Sequence, residues 1–391
     1  MKDERKTAPV IRFNGFSDDW EQCELGEVVQ ITMGQSPNGT NYTDNPNDYI
    51  LVQGNADMKN GQVVPRVWTK QITKTAAIGD IILSVRAPVG DVGKTNYNVV
   101  LGRGVAGIIG DEFIYQLLFK MRLENYWAKY STGSTFESIN SNDLKEAKVF
   151  VPKELEKKEI GMFFKQLDNT IALHQRKLDA LRLMKKALLQ LLFPENGYKV
   201  PKLRFADFVE EWEQCKLGDL GSVVMNRRIF KEETADKGDI PFYKIGTFGG
   251  EADSYITQEK FEDYKLKYPY PETGDILISA SGSIGRTVEY NGEEAYYQDS
   301  NIVWLKHDKQ LYNLFLKQFY FIVKWSGVEG TTIKRLYNKN ILETEINIPS
   351  INEQKEIGGF FKQLDETIAL YQKKLDKLNT LKKAYLQNMF I

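Results

Sequence analysis

The feature that most constrains this chain is a block of sequence that occurs twice, because internal repetition sets the architecture before any single residue is considered. Residues 9–27 return as 201–219 with 10 of 19 positions identical, centred on Trp20-Glu-Gln-Cys-Glu-Leu-Gly26 and Trp212-Glu-Gln-Cys-Lys-Leu-Gly218. A second match is longer, Lys158 to Gln190 against Lys355 to Gln387, and agrees at 24 of 33 positions. Each repeat is therefore a short opening signature, a variable body and a near-identical closing segment. Between the bodies only fragments agree. Gly79-Asp80-Ile81 and Gly274-Asp275-Ile276 each precede an apolar run, and Thr132-Gly-Ser-Thr135 answers Glu329-Gly-Thr-Thr332 before strand-like stretches that close on Pro152 and Pro349. A conserved frame around two drifted middles implies one kind of task directed at two different targets.

The closing segment has the spacing of a heptad helix. Ile160, Phe164, Leu167, Ile171, His174, Leu178 and Leu181 step by four and three, and Ile357, Phe361, Leu364, Ile368, Tyr371, Leu375 and Leu378 repeat the seam. Pro152 and Pro194 fall where helix boundaries belong. The 39 residues 154–192 predict a rod of roughly 60 Å at 1.5 Å per residue. Such a rod must bury its seam, and the other copy is the obvious partner. Lys185 and Lys382 continue the seam, followed by Leu188 and Tyr385, so the far end is expected to loosen or to face something else. An antiparallel pair would carry the two bodies at opposite ends, related by an approximate two-fold axis within one chain.

Composition narrows the class. The chain has 391 residues, 42% of them hydrophobic, enough for two or three cored domains. Lys and Arg (52) balance Asp and Glu (53), so any polyanion-binding surface must be local. Two cysteines, Cys23 and Cys215, occupy equivalent repeat positions, which predicts small buried residues rather than a disulfide and a reducing, cytoplasmic setting. No stretch approaches the ~18 to 20 apolar residues of a membrane span, and the charged start is not followed by an apolar segment, so neither export nor a membrane partner is expected. With His174 and His307 alone, no histidine-rich metal site can be built. His174 reads as a seam residue and His307 as a loop residue.

Catalytic motifs are missing. Gly102-Arg-Gly104-Val-Ala-Gly107 fits a dinucleotide loop, but the second copy has no glycine there and Ile108-Ile-Gly110 is a poor phosphate-binding helix. There is no Walker motif, no methyltransferase catalytic loop, and no nuclease carboxylate cluster. What remains is binding. Residues 51–110 carry seven Lys or Arg against three Asp, a local excess suited to phosphate contact. Candidate contacts in the first body are Arg66, Lys70, Arg86, Lys94, Arg103, Ser134 and Thr135, several in Gly- and Pro-rich loops that let a backbone approach a duplex. In the second body they are Arg227, Arg228, Lys244, Ser283, Arg286, Thr331, Thr332, Lys334 and Arg335. A ~60 Å strut could space two readers by one to two duplex turns of ~34 Å.

Taken as an ordered, duplicated set, the Trp-Glu-Gln-Cys openings, the Gly-Asp-Ile strands, the Gly-Ser/Thr-Thr loops and the Lys-Glu-Ile-Gly-x-Phe-Phe-Lys-Gln-Leu-Asp helices resemble the specificity subunits of type I restriction-modification enzymes. The resemblance implies an α+β chain of two target-recognition domains of mixed strands and helices, at 1–153 and 196–350. Two long antiparallel coiled-coil helices, at 154–195 and 351–391, would separate them with internal pseudo-two-fold symmetry. It also implies a non-catalytic subunit that reads a bipartite stretch of double-stranded DNA. Two methyltransferase subunits and the restriction/translocase subunits would be its partners. S-adenosylmethionine, ATP and Mg would be bound by those partners, with no cofactor and no metal on this chain. The competing expectation is a two-headed protein-protein adaptor.

Overall fold

The structure, a computed structural model, describes residues 7–130, 138–195, 197–327 and 334–391. The chain divides into two compact units, Met1–Gln175 with Lys373–Ile391, and Arg176–Gln372. Each therefore contains one variable body and parts of both long helices, which run Glu154–Leu192 and Ile351–Met389.

In the first unit, strands Gln30–Met33, Val105–Ile109, Ile81–Ser84 and Val92–Lys94 form an antiparallel core in that order. A second sheet pairs Tyr49–Val52 with Val99–Leu101 in parallel. Between the sheets, Ile81–Ser84 is covered on both faces: Ile81 and Leu83 enter the main core, while Ile82 enters the smaller one. That is why this strand reads as an unbroken apolar run. The Gly-Asp-Ile fragment is the turn that feeds it. Gly79 takes φ +93°, and the Asp80 carboxylate accepts from the Ala77 N–H at 2.7 Å.

The second unit repeats the plan. Gly221–Val224, Ile302–His307, Ile276–Ser279 and Thr287–Glu289 form its antiparallel sheet, and Ile240–Tyr243 pairs in parallel with Tyr296–Tyr297. Gly274 has φ +96°, and Asp275 accepts from the Glu272 N–H at 2.8 Å. The units differ in what is inserted: here a helix, Gln258–Lys267, stands where the first unit adds short strands. His307 ends a strand rather than lying in a loop, and its Nε2 meets Oδ1 of Asn313, the first residue of the following helix.

The opening signatures become strands that close each body. Glu21–Glu24 pairs with Lys148–Val151, and Glu213–Lys216 with Glu345–Ile348. Trp20 and Trp212 are buried beside them. Both cysteines are free, and each is half-buried rather than fully enclosed, a correction that follows from their place on a two-stranded ribbon. Burial pushes both thiols up, Cys215 to about 11. Little thiolate exists at pH 8, so iodoacetamide should label Cys215 about a hundredfold more slowly than a free cysteine. Labelling at the free rate, followed by mass spectrometry, would contradict this placement.

Within each unit the helix segments run antiparallel. In the first, Phe163 meets Tyr385 and Phe164 meets Phe390. In the second, Arg182 Nη2 donates to Gln372 Oε1, and Lys177 lies over the Tyr371 ring. Every seam residue predicted from the heptad is buried or half-buried, as is His174. The seam lysines do not loosen the pair; of the two expectations for the far end, it is the second that is seen, each lysine facing a ring of the adjacent body as well as the opposite helix. Lys382 Nζ reaches Asp168 at 2.6 Å and lies over Phe119; Lys185 reaches Asp365 at 2.6 Å and lies over Phe321. Each amphipathic stem lies in the seam while its charge is paired. Gln116 Nε2 donates to Asp168 at 2.7 Å, tying the helix Glu112–Leu123 to the first of these pairs.

Candidate nucleic-acid interface

In the first unit, four loops converge on a cleft of about 250 Å³ lined by Ser36, Gln53, Ser84, Arg86 and Arg103, with Gly54, Ala87 and Gly104. The glycine motif that resembled a phosphate loop explains the convergence. Gly102 and Gly104 form the turn between strands Val99–Leu101 and Val105–Ile109, and Gly107 lies within the second strand, with the next helix opening only at Glu112, so the motif joins strand to strand and not strand to helix. A Cβ on Gly104 would lie 2.0 Å from the Gln53 carbonyl oxygen, so only glycine lets these loops touch. The contact leaves Arg103 exposed at the mouth, its backbone N–H held by Ser36 Oγ at 3.1 Å.

The second unit has a wider cleft of about 530 Å³, lined by Asn226, Arg227, Arg228, Phe230, Tyr264, Tyr268 and Asp299, with Met225 and Pro269. Arg227 lies 5.3 Å over the Tyr268 ring, and Arg228 pairs with Asp299 at 2.9 Å. Here again the loop after the first core strand meets the loop before the second. Ser36 faces Arg103 in the first unit, and Arg228 faces Asp299 in the second, so the arginine has changed sides.

The predicted contacts separate into groups. Arg86 and Arg103 share the first cleft, and Arg227 and Arg228 share the second. Lys334 and Arg335 are exposed beside Ser281-Gly282, where the Gly282 N–H donates to the Lys334 carbonyl at 3.0 Å. Lys70 and Ser283 are exposed outside both clefts. Four of the candidates have partners within the protein. Lys94 is half-buried, pairs with Glu112 and lies over Tyr115, so it braces a helix. Lys244 pairs with Asp253 at 2.9 Å. Arg286 donates from Nη1 to the Phe248 carbonyl at 2.8 Å. Arg66 donates to the Ala56 carbonyl at 2.9 Å beside Asp57, whose carboxylate accepts from the Gln53 N–H at 2.7 Å; it braces the cleft loop instead of entering it. Ser134, Thr135, Thr331 and Thr332 lie outside the described residues.

Sequence reading missed Ser36, Gln53, Asn226, Tyr264 and Tyr268, which are neutral and carried no charge signal. Among the described residues, no group of three or more His, Cys, Asp or Glu is arranged to hold a metal. Among the same residues, no helix is long and apolar enough to cross a membrane. The clefts offer forked cations, amides and aromatic faces, a set that suits base edges and phosphates.

A family model for the type I restriction modification DNA specificity domain matches residues 17–183 and 209–380. A putative type I restriction enzyme specificity subunit of Haemophilus influenzae is 48% identical over 176 residues, 45% of this chain and 46% of that protein. The putative MjaX specificity subunit of Methanocaldococcus jannaschii is 30% identical over 199 residues, 48% of this chain and 46% of that protein. The matched stretch thus spans about half the length of each. In fold, the chain is similar to the crystal structure of an S subunit from M. genitalium. The TM-score is 0.67 at 17% identity, over 98% of this chain and 99% of that one.

Proposed function

Because the chain belongs to the type I restriction modification DNA specificity family, we propose that each of its two recognition domains reads one half of a bipartite, asymmetric duplex sequence. The observation that carries this reading is the cleft in each unit, where the loop after the first core strand meets the loop before the second but the lining groups differ. Identical readers on a repeated frame would select a palindrome, whereas unlike readers select two unlike half-sites. Arginines lining the clefts supply forks for guanine edges, and the neighbouring exposed lysines supply phosphate contacts.

In this reading the paired helices hold the readers apart and set the unread spacer. Their near-identical sequences give two copies of one methyltransferase subunit equivalent places to dock, and restriction/translocase subunits join that assembly. Adenine methylation and cleavage, with S-adenosylmethionine, ATP and Mg, then belong to the partners. This chain works as a non-catalytic guide in the cytoplasm.

The test is a mobility shift of the chain with its methyltransferase subunits on a randomised duplex library, at two ionic strengths. Neutralising six or more phosphates should cost at least about a thousandfold in affinity between 50 and 200 mM salt. Sequencing the retained duplexes should reveal two fixed blocks around an unread gap. A protein-only adaptor would show neither salt-dependent affinity nor a selected sequence.

A further inference from the structure

We propose that Arg86 and Arg335 are counterpart specificity residues, each reading a guanine in the half-site of its own unit from opposite sides of one conserved backbone bridge. This rests on the DNA-reading function proposed above and names the residues that divide it.

The equivalence comes from backbone hydrogen bonds, since the side chains here do not align. In the first unit the Val85 N–H donates to the Gly104 carbonyl at 2.9 Å, Ile139 N–H to Val85 at 3.1 Å, and Gly90 N–H to Ser84 at 2.8 Å. In the second, Ala280 N–H donates to the Asn301 carbonyl at 2.7 Å, Leu336 N–H to Ala280 at 2.8 Å, and Gly285 N–H to Ser279 at 3.0 Å. These three contacts map Val85 onto Ala280, Gly104 onto Asn301 and Ile139 onto Leu336. The next residues then form the one isolated bridge at this place in each unit: Arg86 with Ser138 in the first, Ser281 with Arg335 in the second. The pair of residue types is the same, and the strands that carry them are exchanged.

This exchange is hard to explain as packing. Arg86 and Arg335 are both exposed, and among the described residues neither guanidinium has a carboxylate partner. Arg86 lines the first cleft with Arg103. Arg335 is steered by Asn301, whose Oδ1 accepts from Arg335 Nη2 at 3.5 Å and from Ser281 Oγ at 2.8 Å. The backbone under each arginine is fixed, and a planar five-donor fork on a fixed base suits bidentate contact with guanine O6 and N7 better than a diffuse phosphate contact. Moving the fork across the bridge shifts where it enters the groove, so one scaffold can address different positions.

The test compares duplexes selected by the full-length parent from a randomised library with those selected by R86K, R335K, R86A and R335A, each checked for a native melt. R86K and R335K keep the charge and lose the fork. Each should lower preference for one guanine by about ten- to a hundredfold, R86K in one half-site and R335K in the other, with the salt dependence of affinity retained. The alanine variants should lose the same single preference. A uniform loss of affinity with a shallower salt slope and intact sequence preference would make these phosphate contacts and overturn the inference while leaving DNA reading in place. So would loss of a preference at a base other than guanine, or in both half-sites at once. Failure of the parent to select any sequence would instead remove the underlying function and this inference with it.

Discussion

Replacing Phe390 by alanine is expected to destabilise the first unit by about 3–5 kcal/mol, the usual cost of truncating a fully packed aromatic. Phe390 is buried, stacked on Phe113 at 5.0 Å, and set edge-on to Trp20 at 6.2 Å, with Phe164 at 5.7 Å on the first long helix. One ring therefore joins the opening signature, the helix Glu112–Leu123 and both long helices. Phe193 has the corresponding place in the second unit, 5.1 Å from Phe315 and 5.9 Å from Trp212, so Phe193→Ala should lose a similar amount there. Trp20 and Trp212 touch the deleted rings and make tryptophan fluorescence in a urea titration a direct reporter. Leu183→Ala, at a position 69% exposed on the first long helix, should stay within about 0.5 kcal/mol of the parent. An F390A midpoint matching that of L183A would show that the ring does not anchor this core. If each unit reads its own half-site, F390A and F193A should also each lose recognition of one half, and not the same half.

The parts of the fold legible in the sequence were those with a period. A seam of seven positions in each copy announces a helix and its buried face, and the Gly-Asp-Ile fragments followed by apolar runs announce strands covered on both sides. The fate of Lys185 and Lys382 was not legible. A lysine in a seam reads as a defect until the antiparallel register is known, and only that register brings Asp365 and Asp168 across to meet them. Charge counting was blind in the same way at Lys94, Lys244 and Arg66. Each counts as a cation in composition, yet each is turned toward a carboxylate or carbonyl that the sequence does not point to. The clefts were legible in part, through Arg86, Arg103, Arg227 and Arg228. Their correspondence was hidden, because it is carried by backbone hydrogen bonds while the side chains that differ are the ones that set the target.

The buried Arg–Glu pairs should show large single-variant penalties that vanish in the double variant. Arg12 grips Glu156 through Nε and Nη2 at 2.6 and 2.7 Å, and Arg204 grips Glu353 through the same atoms at 2.7 Å each. Each carboxylate is nearly sealed from solvent, at 2% and 1% exposure, while the arginines keep 14% and 13%. The pairs clamp the segment around each opening signature to the first turn of a long helix, and pairing with the carboxylate raises each guanidinium above its usual value. Removing one partner strands a buried charge, so Glu353→Leu should cost about 3–5 kcal/mol. Arg204→Met should cost at least as much, because the carboxylate it leaves behind has less access to water than the guanidinium has. Removing both charges together restores neutrality, so R204M/E353L should lie within about 1 kcal/mol of the parent or above it. Urea titrations of the parent, R204M, E353L and R204M/E353L complete a double-mutant cycle, and single penalties of this size with a near-neutral double imply a coupling energy of about 5 kcal/mol or more. Additive single and double effects would mean that the clamp is held by its apolar contacts, such as Phe205 against Phe360 at 5.9 Å, and that the ion pair only fills the space between them.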